Sequence, residues 1–171
     1  MTGGAGYIGS VVAAQLLTAG HEVVVLDDLS TGHADAVPPG ARFVRGDLRR
    51  DALRELAGID AVLHFAAKSL VAESVASPAL YWTSNLGGTL ALLDAMRIAR
   101  VPSLVFSSTA AAYGEPESVP ISETAPARPT SPYGASKLAV DTALAEHARM
   151  HGLGAVSLRY FVRPAEREVT P

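Results

Sequence analysis

The segment Thr2-Gly3-Gly4-Ala5-Gly6-Tyr7-Ile8-Gly9 constrains this chain more than any other. Read from Gly4 it fits G-x-G-x-x-G, and read from Gly3 it fits G-x-x-G-x-x-G. Such a loop lets backbone approach a pyrophosphate and opens a helix whose first N–H groups face that anion. Glycine clusters also occur by chance in ordinary loops, so the context decides. Here an apolar helical pattern follows (Ile8, Val11, Val12, Leu16, Leu17), then Gly20, then the run Val23-Val24-Val25-Leu26 ending in Asp27. An acidic residue at the end of a second strand hydrogen-bonds an adenosine ribose and repels a 2′-phosphate. NAD is therefore favoured over NADP. Only Met1 and Thr2 precede the first glycine, where a fingerprint of this kind normally follows a buried strand.

The 171 residues suit one domain with a real core. Apolar residues make up 49% and charged residues 18%, a globular rather than disordered balance. A net charge of −3 gives no electrostatic case for nucleic acid or an anionic membrane. With no cysteine, disulfides, thiolate catalysis and cysteine metal sites are excluded. No apolar run is of bilayer-spanning length and no signal-peptide pattern opens the chain, so a cytoplasmic location is expected.

Helical and strand patterns alternate. Helices are expected near residues 7–19, 51–57, 78–99 and 133–151, and strands near 22–27, 42–45, 61–65, 103–107 and 155–161. A Pro-rich loop covers 114–132. Alternation of this kind, with continuously apolar strands, implies an α/β fold: a Rossmann-type doubly wound parallel sheet covered on both faces. Its first, central strand is expected to be lacking. Residues 1–161 form the dinucleotide-binding domain, and residues 162–171, with four charges and two prolines, read as a tail.

A second feature is Tyr133-Gly134-Ala135-Ser136-Lys137. Tyr and Lys four apart lie one turn apart on one helix face. A tyrosine titrates near ~10 and is a poor base at neutral pH. A neighbouring ammonium and a cationic nicotinamide are expected to lower that value, making the pair an acid/base for a hydroxyl under oxidation. In isolation, Y-x-x-x-K is more often a solvated helix start. Downstream of a dinucleotide fingerprint the catalytic reading prevails. Thr109, leaving the strand through Phe106-Ser107-Ser108, can hydrogen-bond the substrate oxygen beside Tyr133; without the other motifs it would be an ordinary turn. His147 and His151 are four apart, but no H-E-x-x-H glutamate or third ligand accompanies them. They read as a solvated helix face, and no metal site is expected.

In this order, these pieces resemble the UDP-glucose 4-epimerase family, in the extended branch of the short-chain dehydrogenase/reductase superfamily. The resemblance is carried by TGGAGYIGS (2–10), VVVLDDLSTG (23–32), RFVRGDLR (42–49), HFAAKSLVAESV (64–75), FSSTAAAYGEP (106–116), SPYGASK (131–137) and LRYF (158–161). It implies that Tyr133 is the base, Thr109 its partner, and Lys137 a ligand of the nicotinamide ribose. Gly3, Gly6 and Gly9 would shape the pyrophosphate loop, with Tyr7 and Ile8 touching it through backbone. Asp27 would hold the adenosine ribose, with Asp28, Ser30, Thr31 and Gly32 nearby, and Asp47 and Leu48 would flank the adenine. Phe65, Ala66 and Ala67 would line the groove, with Asn85 near the site. Tyr160 and Phe161 would begin the segment against the nicotinamide. Lys68 and Ser69 depart from the pattern of some relatives, which place an apolar residue and a cofactor-contacting lysine there; Lys68 is expected to do that work from the neighbouring position, with a solvated side chain as the alternative. Ala110 and Ala111 stand where related dehydratases carry an Asp-Glu pair, so oxidation–reduction at sugar C4 is expected without dehydration.

The implied reaction interconverts UDP-glucose and UDP-galactose by reversible hydride transfer at C4 to tightly held NAD. A UDP-sugar is the implied partner, and a homodimer through the long helices is implied as well. Another nucleotide-sugar epimerase or decarboxylase, and a non-catalytic NAD-binding module, remain open as alternatives, as does the sugar series. The match breaks at Val162, where the family continues with an asparagine, and a substrate-binding region should follow. The chain is therefore read as an incomplete copy, expected to be unstable or inactive alone.

Overall fold

Among the described residues, 1–161 of a computed structural model, the strands are β1 (Val24–Asp27), β2 (Arg42–Arg45), β3 (Ala61–His64), β4 (Ser103–Ser107) and β5 (Gly154–Leu158). The expected tail at 162–171 lies outside the described residues. All pairings are parallel: β1 with β2 (Val25 opposite Phe43), β3 with β4 (Leu63 opposite Val105), and β4 with β5 (Val105 opposite Val156). The two groups join through Thr2, which bridges Leu26 on one side and His64 on the other. The sheet order is therefore β2-β1-(Met1–Gly3)-β3-β4-β5.

The central position is thus held by three residues rather than a full strand. Thr2 N–H donates to Leu63 O at 3.0 Å, and Phe65 N–H to Thr2 O at 2.9 Å. On the other side Leu26 N–H donates to Met1 O at 2.9 Å, and Gly3 N–H to Leu26 O at 3.0 Å. The sequence leads one to expect no central strand, and no full one is present among the described residues, but Met1–Gly3 close the ladders in the site-proximal half of the sheet. There, where the glycine loop must be held, the neighbouring strands are paired.

Alternate side chains of β1 face opposite ways, as strand geometry requires. Val23 and Val25 meet Ala13 on one face, with Leu16 and Leu17 beside them. Leu26 faces the larger core, where Val62, Leu104 and Phe106 meet Leu92, Leu93, Met96, Val140 and Leu144. Helix α1 (Tyr7–Thr18) supplies the first cover. Helices α2 (Leu48–Glu55), α5 (Gly88–Ala99) and α6 (Pro132–His151) supply the second. Helix α2 starts earlier than the apolar pattern indicates because Asp47 caps it, accepting from Arg49 N–H, while Asp51 accepts from Asp47 N–H. Helix α6 starts at a Ser131 cap with Pro132 in its first turn, and ends at Gly152 with φ 70°.

The single helix expected over residues 78–99 is three segments. Short α4 (Pro78–Tyr81) runs into a π-helical turn (Trp82–Gly87) and then α5. Helix α3 (Val71–Ala76) precedes them and carries no strong periodic signal in the sequence. π-turns of this kind are frequent beside functional sites.

Candidate active site

A groove of ≈ 490 Å³ runs across the C-terminal ends of the strands, where open parallel sheets place ligands. The glycine loop forms its floor. A Cβ on Gly9 would lie 2.2 Å from Gly3 O, so helix α1 crosses its own loop at backbone distance. The α1 N-cap is Gly6, with no side-chain capping bond. The first-turn N–H groups, with no intrahelical partners, are left to an anion in the groove. An uncapped helix start behind a cradle with no room for a Cβ fits a pyrophosphate.

At one end of the groove Asp27 is nearly buried, 8% exposed. Its Oδ2 accepts from Ala5 N–H at 3.0 Å and its Oδ1 from Leu29 N–H at 2.9 Å. Nearby, Arg49 Nη2 reaches Asp47 Oδ2 at 2.6 Å and Nε reaches Oδ1 at 3.0 Å. This guanidinium holds the Asp47 carboxyl well below its usual range, to about 2.

The other end is built from β4 and α6. Leaving β4, Thr109 caps a short 3₁₀ turn (Ala110–Ala112) by accepting from Ala111 N–H at 3.1 Å. A Cβ on Gly134 would lie 2.5 Å from Ala111 O, so this turn sits directly on the first turn of α6 and brings Thr109 to Tyr133. The Tyr133 ring meets the edge of Tyr81, with centroids 6.3 Å apart. Burial raises the Tyr133 phenol above its ordinary value, opposed by hydrogen bonding to Thr109. Burial thus outweighs the lowering expected from the neighbouring lysine. Lys137 Nζ instead donates to Ser107 O at 2.8 Å and lies 4.7 Å from the centre of the Phe106 ring. Lys137 is itself buried, which lowers it to about 8, against the pull of Asp141. The Tyr160 hydroxyl is hydrogen-bonded to Ser107 Oγ.

Behind this end lies a buried polar chain. Thr89 Oγ1 donates to Asn85 O at 2.6 Å, so it accepts from His64 Nε2–H at 2.8 Å. His64 Nδ1 in turn accepts from the Thr2 hydroxyl at 2.6 Å. Full burial keeps His64 neutral, lowering it to about 3. The Asn85 side chain, presented by the π-turn, accepts from Lys68 N–H at 2.8 Å. It donates to Lys68 O and to Ser136 Oγ, each at 3.0 Å.

The residues expected to contact a dinucleotide line the groove, with two exceptions. Asn85 stands behind the lining, 2% exposed, and acts on the groove through Lys68. Phe161 is 65% exposed and lies off the groove. Arg49, Ser84, Gly88, Ser107 and Ser108 also line it, beyond the residues expected from the sequence, as does Ser69, which stands at the family's lysine position. The signal for Ser84 and Gly88 is their i, i+4 spacing, which puts both on one helix face beside Asn85. At the far end of α6, the His147 and His151 rings lie 5.4 Å apart, and His147 Nδ1 is turned to Ala143 O. Among the described residues no three metal-ligating side chains gather.

Comparison with known proteins agrees with this geometry. The chain is 62% identical to a UDP-glucose 4-epimerase of Streptomyces lividans over 166 residues, 94% of this chain and 50% of the relative. It is 54% identical to a UDP-glucose 4-epimerase of Corynebacterium glutamicum, again over 94% of this chain and 50% of the relative. The crystal structure of UDP-glucose 4-epimerase from Brucella ovis in complex with NAD superposes with a TM-score of 0.90 at 45% identity, covering 94% of this chain and 50% of that one. The chain thus spans about half the length of the curated relatives it matches. The family model described as the NAD dependent epimerase/dehydratase family matches residues 1–168, and the chain belongs to that family.

Proposed function

We propose that this chain forms the NAD-binding part of a UDP-glucose 4-epimerase, interconverting UDP-glucose and UDP-galactose. The observation that carries the reading is the meeting of Thr109, Tyr133 and Lys137 at one end of a groove whose floor is the glycine loop. Bound NAD would supply a reversible acceptor for the hydride of sugar C4.

The loop and the start of α1 would hold the pyrophosphate, and Asp27 the adenosine ribose. Tyr133 takes the proton of the sugar 4-hydroxyl as the C4 hydride leaves, which gives a 4-keto sugar, and returns that proton when the hydride comes back. Thr109 orients the same oxygen. Lys137, anchored on Ser107 O, brings a positive charge to the site, which favours the phenolate that burial disfavours. Dehydration is disfavoured because Ala110 and Ala111 offer no carboxylate in the turn after Thr109. Galactose metabolism, a cytoplasmic location and pairing of two copies through α5 and α6 belong to the same proposal. No helix among the described residues is long and apolar enough to cross a membrane.

The test uses a chimera joining residues 1–161 to the C-terminal half of the Streptomyces lividans relative. It should convert UDP-galactose to UDP-glucose, and Tyr133→Phe should slow it about 10²–10⁴-fold with NAD binding retained. A Tyr133→Phe chimera as fast as its parent would sink the assignment.

A further inference from the structure

Three segments of chain meet at Asp141. This residue lies on α6 one turn beyond Lys137 and two beyond Tyr133, on the same face. Its side chain is 8% exposed. Oδ2 accepts from Ser108 Oγ at 3.1 Å and from Arg159 Nε at 2.9 Å, with Arg159 Nη2 at 2.8 Å. Oδ1 accepts from the Ser157 hydroxyl. Ser108 directly precedes Thr109, and Arg159 directly precedes Tyr160. The Arg159 guanidinium also lies 5.0 Å from the centre of the Tyr113 ring, just past the 3₁₀ turn. One carboxylate therefore ties together the end of β4, the end of β5 and the helix that carries the base.

We propose that Asp141 is a positioning residue: it holds Thr109, Lys137 and Tyr160 in register through Ser108, its own helix and Arg159. The proposal rests on the reading of the groove given above, which says what the knot positions. A buried carboxylate is tolerated only when several donors satisfy it, and here they come from segments far apart in sequence. The same carboxylate is the counter-charge of Lys137. The polar and titratable groups facing Lys137 are Ser107 O and the Phe106 ring from β4, His64 from β3, Tyr133 and Asp141 on its own helix, and Tyr160 across the groove. Of these, Asp141 is the one that favours the ammonium by charge.

The chain contains only two lysines, Lys68 and Lys137, so ε-¹³C-lysine NMR reads each directly. Asp141→Asn should lower the Lys137 midpoint by about one unit, with Lys68 unmoved, and Asp141→Glu should restore it. Arg159→Gln should move Lys137 the opposite way. A purely structural role predicts the reverse for Asp141→Asn: loosening hydrates Lys137 and its midpoint climbs toward the ordinary lysine value. A climb or no change overturns the proposal. Ser108→Ala and Ser157→Ala keep the charge and cut the tethers, so they serve if Asp141→Asn does not fold. They should leave the Lys137 midpoint in place and weaken NAD several-fold in calorimetry, and an unchanged NAD affinity in both overturns the positioning role. Failure of the parent chain to bind NAD counts against the groove assignment alone, since the lysine titration needs no cofactor.

Discussion

The carboxylate of Asp27 accepts from the backbone N–H of Ala5, 3.0 Å away and twenty-two residues earlier in the chain. The acid read from sequence as a ribose ligand is, in the structure, a clamp that shapes the glycine loop. Its other oxygen is engaged by Leu29 N–H, and a carboxylate still has lone pairs for two ribose hydroxyls. Asp27→Asn turns one acceptor into a donor and sets it against a backbone N–H. NAD affinity should fall about tenfold, the scale of one charge-assisted hydrogen bond. NADP, repelled by Asp27 in the parent, should lose less. Calorimetry with both nucleotides reads the difference, and a parent chain that binds NADP as tightly as NAD removes the basis of this role.

Gly9→Ala tests the cradle. The new Cβ would lie 2.2 Å from Gly3 O, a backbone atom that cannot step aside. Either α1 lifts from the loop or the loop opens, and both displace the N–H groups aimed into the groove. NAD binding should disappear from calorimetry while far-ultraviolet circular dichroism stays near that of the parent. Retained affinity would mean that the anion sits elsewhere.

Local spacing made part of this site legible. Tyr133 and Lys137 are one helical turn apart, and the glycine loop lies within eight residues, so both survive translation from sequence to structure. What escaped depends on distant partners. Lys137 is fixed by Ser107, thirty residues before it, and Asn85 by Lys68 and Ser136. An apolar pattern over residues 78–99 does not reveal a π-turn, yet that turn is what points Asn85 inward. His64 reads as the polar end of a strand, although it is among the most buried side chains. Phe161 was expected against the groove, but β5 ends at Leu158 and the chain beyond it leaves the ring exposed.

His64 gives the fold an acid sensitivity of definite sign. Its folded value is lowered to about 3 from an ordinary 6.5. Between those values the unfolded chain binds a proton that the folded chain does not, so stability rises with pH across the window and is lost as pH falls below 6.5. Near pH 5 the loss should be about 2 kcal/mol. Asp47, lowered from 3.8 to about 2, acts only below about pH 4, outside the interval from pH 7 to 5. His64→Gln can still accept from Thr2 and donate to Thr89 without titrating. Urea midpoints between pH 7 and 5 should fall more steeply for the parent than for the variant, in which the partly buried Met1 amine, lowered from 8.0 to about 6, leaves a shallower slope; equal slopes would assign the effect to other groups.

Asn85 holds the strand-to-helix loop by both backbone polar groups of one residue, accepting from Lys68 N–H and donating to Lys68 O. Asn85→Ala leaves those two groups and Ser136 without their partner in a buried site, a cost of about 2–3 kcal/mol. For a domain of this size the melting temperature should drop by about 5–10 °C. The more telling readout is local. The Phe65 amide is held by Thr2 O at 2.9 Å and does not depend on Asn85. Hydrogen exchange at the Lys68 amide should accelerate strongly in the variant, while the Phe65 amide changes only with global stability. Lys68 lines the groove, so the same loosening should weaken NAD binding. If residues 65 and 68 accelerate together, the loop is held by the sheet rather than by Asn85, and the π-turn needs another explanation.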